Sequence, residues 1–125
     1  MILTEMIDKV ALYCDSKRGE PYFVEKVKDG INAAYKKIAK EKFNLTVSEL
    51  NNDDDTVDLT ISKYVDDRTY CYFAAYQYLL IEDEGKAFDW LDRYNDDYEN
   101  IKVKDTDYNY DTLKQTQIEN SYDIF

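Results

Sequence analysis

The 125-residue chain contains no histidine, one proline, three glycines and two cysteines. Without histidine, the chain lacks the most common general base, the Ser-His and Cys-His nucleophile pairs, and the main ligand of zinc and iron sites. Three glycines do not provide a glycine-rich phosphate loop, and neither a G-x-S-x-G nor an H-E-x-x-H motif occurs. The composition therefore favours a protein that is not an enzyme, and it predicts no catalytic residue, no cofactor and no metal site.

Long apolar runs are also missing. The longest uncharged run, Thr69 to Ile81, is well short of the roughly 20 residues that span a bilayer. The first ten residues are interrupted by charges, so no signal peptide is expected. Cys14 and Cys71 lie far apart, with neither the spacing of a zinc motif nor the density of a disulfide scaffold. We expect a protein without membrane contact, whose two thiols are core residues in a reducing compartment.

Basic residues are scarce, at 16 against 27 acidic ones, for a net charge of −11. Such a surface repels nucleic acid on average. The charge is also uneven, because residues 1–42 hold nine basic and seven acidic side chains whereas residues 43–125 hold seven and twenty. One part of each molecule is thus suited electrostatically to a different part of its neighbour, which favours head-to-tail association.

The 44% of apolar residues supports one domain with one core. Apolar residues recur with the helical period in four segments, about 3–14, 21–42, 69–81 and 83–101. The third segment is apolar almost all the way round, so it should lie at the centre. The predicted core residues of the last two helices are Tyr70, Phe73, Ala74, Leu80 and Leu91.

Between the second and third helical segments the period changes. Val57, Leu59 and Ile61 alternate with polar residues, as in a half-buried strand, and residues 46–50 are a possible partner across an acidic turn. The predicted fold class is therefore mainly α. It comprises a core of two N-terminal and two C-terminal helices over residues 1–101, a short β-ribbon around 46–62, and an extended C-terminal arm over 102–125.

The acidic clusters do not match a known binding motif. Counted from Asp53, an EF-hand loop would need glycine at the sixth position and glutamate at the twelfth, where Asp58 and Tyr64 stand. A solvated turn is the simpler interpretation. The lysines at 36, 37 and 40 are likewise interpreted as a solvated helix face rather than a phosphate site.

Tyrosine is abundant, with 13 copies. Tyrosine combines a large contact area with a polar tip, and protein interfaces favour it. The C-terminal arm has no period but still carries aromatic and aliphatic residues. It is interpreted either as an ordinary frayed terminus or as an arm that orders on a partner. The predicted interface residues of the arm are Tyr108, Tyr110, Leu113, Ile118, Tyr122 and Phe125.

Three stretches together resemble a known family. They are INAAYKKIAKEKF (31–43), the predicted ribbon ending in VDLTI, and the helix pair YCYFAAYQYLLIEDEGKAFDWLDRYNDDYENI (70–101). In these stretches the chain resembles the small head-to-tail connector, or adaptor, proteins of tailed bacteriophages. The resemblance covers just over half of the chain, and it is architectural because that family has no catalytic signature.

The resemblance implies a structural protein of the virion. Twelve copies would form a homo-oligomeric ring beneath the portal protein and join it to the next neck or tail protein. DNA would pass through the ring without specific binding, and the arm would dock on the portal or on a neighbouring subunit. The location implied is the virion neck, after assembly in the host cytoplasm.

Three alternatives remain open at this stage. The sequence does not separate an adaptor from a stopper or tail-completion protein of the same neck, one layer lower. A small acidic protein that imitates nucleic acid and inhibits a basic enzyme would also be strongly acidic, and it would bind in a salt-sensitive way. A carboxylate-dependent hydrolase is supported only by the number of acidic residues.

Overall fold

Five helices make up most of the part of the chain that the computed structural model describes, residues 1–15 and 19–103. The prediction of a mainly α fold is confirmed, and the four longer helices coincide with the four periodic segments of the sequence. The helices are α1 (Leu3–Tyr13), α2 (Phe23–Phe43), α3 (Leu59–Ser62), α4 (Arg68–Glu82) and α5 (Glu84–Glu99).

Helix α4 is the centre of the fold and packs against α1, α2 and α5. Against α2, the ring of Tyr35 lies edge-on to Tyr70 with centroids 5.5 Å apart. The ring of Phe23 lies edge-on to Tyr78 at 4.9 Å. Because a higher number on one helix meets a lower number on the other, α2 and α4 run antiparallel.

Helix α5 flanks the other side of α4, also antiparallel to it. Asp83 caps the start of α5 with a side chain that accepts a hydrogen bond from the Lys86 backbone N–H (3.2 Å). The chain therefore reverses directly after α4. Phe73 and Tyr94 meet near the middle of the pair, with ring centroids 5.0 Å apart.

Helix α1 completes the core on a third side of α4. The Cys71 thiol donates to the Met6 carbonyl oxygen across the α1–α4 contact (3.6 Å). At the end of α1, the ring of Tyr13 stacks on Trp90 of α5, with centroids 4.3 Å apart. The Arg93 guanidinium lies over the Trp90 ring, 4.8 Å from its centroid, as in a cation–π contact.

The predicted β-ribbon is wrong, because no strand forms among the described residues and a single antiparallel bridge joins Ile2 to Thr56. The Asp58 carboxylate accepts from the Thr60 and Ile61 backbone N–H groups (2.8 and 3.3 Å) and starts the one-turn helix α3. Val57 and Ile61, four residues apart, face the core, whereas Leu59 is 78% exposed. The alternation in the sequence is thus a helical turn with one apolar residue facing solvent.

Two buried side chains of α2 hold the loop between α2 and α3: the Tyr35 hydroxyl accepts from the Asp58 N–H (2.8 Å), and Asn32 bonds to Leu50. The Asn32 amide nitrogen donates to the Leu50 carbonyl oxygen (2.9 Å), and its carbonyl oxygen accepts from the Leu50 N–H (2.8 Å). Further along the loop, the Asp55 carbonyl oxygen accepts a hydrogen bond from the Leu3 N–H at the start of α1 (2.8 Å). Side-chain clamps replace the predicted strand pairing.

The last described residues follow α5 along the core. Ile101 is buried. The predicted arm, residues 102–125, lies outside the described residues from position 104 onward, and so do its six predicted interface residues.

Candidate protein-interaction surface

Large apolar side chains reach the surface where α4 ends and α5 begins. Ile81 is 85% exposed, Phe88 46% and Leu80 38%. The Tyr76 ring lies beside Phe88, with centroids 6.1 Å apart, and is partly exposed itself. We name these four residues the apolar patch. Clustered apolar exposure of this kind marks interaction sites on monomeric proteins, whereas single exposed residues do not.

A cleft adjoins the apolar patch, between the first half of α2 and the last turns of α4. Its volume is about 350 Å³. On the α4 side the cleft is lined by three residues of the patch together with Gln77 and Tyr78. On the α2 side it is lined by Lys26 and Asp29. The cleft therefore offers an apolar floor beside a charged wall.

The sequence positions this surface by simple helix geometry. Phe73, Tyr76 and Leu80 follow one another at i, i+3 and i+7, so they form one row along α4 on the side of α5. Gln77 and Ile81 form the neighbouring row, on the side of α2. The early reversal at Asp83 then returns Phe88 to the level of Tyr76.

Acidic side chains surround the apolar patch. Glu82, Asp83 and Glu84 follow Ile81 directly and are exposed. Glu20 lies at the same end of the molecule, where it accepts a hydrogen bond from the Tyr78 hydroxyl (3.4 Å). With Asp29 in the cleft, this end of the molecule carries these five carboxylates against Lys26 in the same cleft and Lys86 in the first turn of α5, so the rim is negative.

Backbone strain occurs beside the same cleft. Tyr22, the residue before α2, has φ +64° and ψ +3°, in the left-handed region, and its side chain is 71% exposed. A bulky residue with positive φ costs free energy. Tyr22 and Asp29 line a neighbouring depression, so the strained residue borders the acidic rim. Strain of this kind is concentrated at functional positions.

The predicted core residues of the last two helices separate into three groups. Tyr70 and Ala74 are fully buried, and Phe73 and Leu91 are partly buried. The assignment of Leu80 to the core is corrected, because this residue lies at the surface. Helix α4 extends one turn beyond the contact of Tyr78 with Phe23, the first residue of α2, so α2 does not cover this last turn, in which Leu79 is buried but Leu80 and Ile81 are exposed.

Sequence reasoning missed Ile81, Phe88 and Tyr22 as surface residues. Ile81 lies within a segment that is apolar almost all the way round, where no period distinguishes a covered position from an exposed one. Phe88 carried a usable signal, because it is an aromatic residue outside the apolar stripe of its own helix, which passes through Ala87, Trp90 and Leu91. Positive φ at Tyr22 has no sequence signal, since glycine or asparagine is the usual residue there.

Neither thiol is positioned for nucleophilic chemistry. Burial raises the pKa of Cys14 to about 12 and that of Cys71 also to about 12, so both thiols stay protonated at neutral pH. Among the described residues, no cluster of three or more acidic, cysteine or histidine side chains is arranged to hold a metal ion. None of the described helices has the length and apolar character needed to cross a membrane.

Comparison of the chain with protein-family models, with curated proteins and with solved structures finds no match.

Proposed function

We propose that this chain is a non-enzymatic structural protein of a tailed-bacteriophage virion, an adaptor that joins the portal protein to the next neck or tail protein. In this proposal twelve copies form a ring that extends the DNA channel. The ring belongs to the virion neck and is assembled in the host cytoplasm. The observation that carries the proposal is the exposed apolar patch with its negative rim, at one end of a small helical core.

A closed ring needs two unlike surfaces on each subunit, because head-to-tail contacts are heterologous. The apolar patch provides one of them. The C-terminal arm, with Tyr108, Tyr110 and Leu113 in its first half, provides a further and separate contact surface. The uneven charge of residues 1–42 and 43–125 favours the same arrangement. In the proposal the arm docks on the portal or on a neighbouring subunit.

The net charge of −11 suits a DNA channel. A channel wall that attracted phosphate would hold the DNA during passage, whereas a negative wall leaves it free to move. The proposal accordingly includes no specific contact with DNA and no cofactor. It rests on the resemblance of residues 31–43 and 70–101 to adaptor proteins, together with the exposed surface.

The decisive experiment is to locate the protein in purified phage particles. Mass spectrometry of particles should detect the chain at a copy number near that of the portal protein. Cryo-electron microscopy of the neck should place its density in the layer that contacts the portal. Density one layer lower would identify a stopper or tail-completion protein instead, and absence from particles would contradict the proposal.

A second experiment tests the arm. Deletion of residues 105–125 should abolish binding to purified portal rings while the far-UV helical signal of the described core is retained. Full-length protein with serine at Tyr108, Tyr110 and Leu113 should lose binding in the same way. A loss of helical signal on deletion would show that the segment belongs to the core rather than to an arm.

The acidic composition also favours a second candidate function, the nucleic-acid mimic that inhibits a basic enzyme. This candidate predicts tight binding to a nucleic-acid enzyme that weakens steeply as salt is raised. It predicts neither portal binding nor incorporation into particles, so the same particle analysis separates the two functions.

A further inference from the structure

We infer that the apolar patch and its cleft bind a segment of a partner protein that carries aliphatic or aromatic side chains flanked by lysines or arginines. The patch consists of Tyr76, Leu80, Ile81 and Phe88. The inference deepens the proposed function and rests on it for the role of this surface in assembly. The binding itself is a property of the isolated protein and can be tested without particles.

The aliphatic or aromatic side chains of the partner segment are inferred from the exposed apolar side chains of the patch. Ile81 and Phe88 lie at the surface on two packed antiparallel helices, so the patch is present in the protein without any partner. A preformed site loses little conformational entropy on binding. The adjoining cleft of about 350 Å³ is large enough to take an anchoring side chain between α2 and α4.

The lysines or arginines of the partner segment are inferred from the acidic rim of the patch. The exposed Glu82, Asp83 and Glu84 follow the patch directly in the chain, and in the cleft Asp29 lies with Lys26, which leaves an excess of negative charge around the patch. Carboxylates that border an apolar contact attract flanking lysines or arginines and repel acidic segments. A partner with apolar residues alone would leave this rim without complementary charges.

The same charges argue against the protein's own C-terminal segment as the occupant. Residues 104–125 contain two lysines and five acidic residues, so they carry the same sign as the rim. The segment has apolar residues but lacks the complementary charge. The arm and the apolar patch are therefore assigned to different contacts.

The test is a titration of full-length ¹⁵N-labelled protein with three short synthetic peptides, followed by NMR. The first peptide combines leucine with lysine, the second leucine with glutamate, and the third serine with lysine. Only the leucine–lysine peptide should bind tightly, and it should shift the amide signals around Ile81 and Phe88. Its affinity should fall as salt is raised.

Three variants locate the site. Ile81→Ser and Phe88→Ser each remove an exposed apolar side chain of the patch and should weaken binding about tenfold or more. Leu59→Ser is the matched control, because Leu59 is 78% exposed on α3, outside the patch, and this variant should bind like the original protein. Far-UV circular dichroism and the NMR spectrum establish that all three variants remain folded.

Several outcomes would overturn the inference. If the serine–lysine peptide bound as tightly as the leucine–lysine peptide, the apolar side chains would contribute nothing and the contact would depend on charge alone. If the leucine–glutamate peptide bound as tightly, the acidic rim would not select the partner. Equal losses in Leu59→Ser and Ile81→Ser would mean that the patch is not the site. A dimer that Ile81→Ser converts to a monomer would make a second copy the occupant. Peptide binding by a protein that is absent from particles would contradict the proposed function and leave this inference intact.

Discussion

Gly30 of α2 lies directly against Ala74 of α4. A Cβ atom at position 30 would stand 2.8 Å from the Ala74 Cα and 3.0 Å from its Cβ. Contact this close between two helix backbones is possible only because residue 30 has no side chain. The α2–α4 packing that forms one wall of the cleft therefore depends on glycine at this position.

Gly30→Ala should lower the free energy of unfolding by up to about 2 kcal/mol. Alanine gains up to about 1 kcal/mol of helix propensity over glycine. The forced separation of two packed helices costs more, typically about 1–3 kcal/mol, because the nearest obstacle is backbone that cannot rotate away. Urea denaturation measures the difference between the variant and the original protein.

Gly85 provides the matched control. It lies in the first turn of α5, and the nearest atom to a Cβ there would be the Asp83 Oδ1 at 3.6 Å, an ordinary contact. Gly85→Ala should therefore keep the propensity gain and raise stability by up to about 1 kcal/mol. If both variants were equally stabilised, the close approach at Gly30 would have no energetic weight.

A second prediction concerns the clamp between Asn32 and Leu50. Asn32→Ala leaves the buried N–H and C=O of Leu50 without their partner. Each orphaned buried polar group costs about 1–3 kcal/mol, so we expect a loss of at least about 2 kcal/mol in the free energy of unfolding. Chemical denaturation, with amide hydrogen exchange of Leu50, reports both the global and the local effect.

Lys36→Ala is the control for this clamp. The Lys36 ammonium and the Glu49 carboxylate also join α2 to the same loop (2.6 Å), but both side chains are about half exposed. Exposed ion pairs contribute less than about 1 kcal/mol. If Lys36→Ala lowered the free energy of unfolding as much as Asn32→Ala, the burial of the Asn32 hydrogen bonds would not be the cause of their contribution to stability.

The helices were predictable from the sequence because their signal is local and repeated. The apolar stripes and the cap at Asp83 define α5, and the all-apolar character of residues 69–81 placed α4 at the centre. The loop was not predictable, because Val57, Leu59 and Ile61 satisfy both an alternating pattern and a helical i, i+4 pattern. The Asp58 side chain favours the helical turn, because it accepts hydrogen bonds from the backbone N–H groups of Thr60 and Ile61. The spacing of apolar residues contains no information about these hydrogen bonds.

The surface was harder to predict than the core. Whether Leu80 and Ile81 are covered depends on where α2 begins and on how soon the chain turns after α4, which are properties of three elements together. Only Phe88, outside the stripe of its helix, indicated an exposed apolar residue from the sequence alone.

A third prediction concerns the strain at Tyr22. Tyr22→Gly should raise the free energy of unfolding by about 0.5–1 kcal/mol. Glycine removes a left-handed penalty of about 1–2 kcal/mol but loses part of this gain through its greater freedom in the unfolded chain. Tyr22→Ala, which keeps a Cβ at the same positive φ, should show no such gain. Thermal unfolding of the two variants compares them directly, and equal stability of both would argue against strain.

The last prediction is a loss of stability at alkaline pH that begins with the thiols. Burial raises the pKa of Cys71 to about 12, above the ordinary thiol value of 9.0, and it raises the pKa of Cys14 equally. Folding therefore favours the protonated thiols. Their contribution is complete below about pH 9 and is lost as the pH rises toward 12, where the folded protein also ionises. Burial raises the pKa of Tyr94 from 10.0 to about 12, so its contribution is lost from about pH 10 upward.

Urea denaturation at steps from about pH 8 to about pH 11 separates these contributions. The original protein should hold constant stability to about pH 9 and then weaken. A Cys14→Ala, Cys71→Ala double variant starts from a lower stability, because the thiols fill space in the core, but its decline should begin about one pH unit later, when tyrosine ionises. Since the comparison uses the pH of onset, the packing defect does not affect it. Parallel curves for the two proteins would show that the buried thiols are not linked to the alkaline transition.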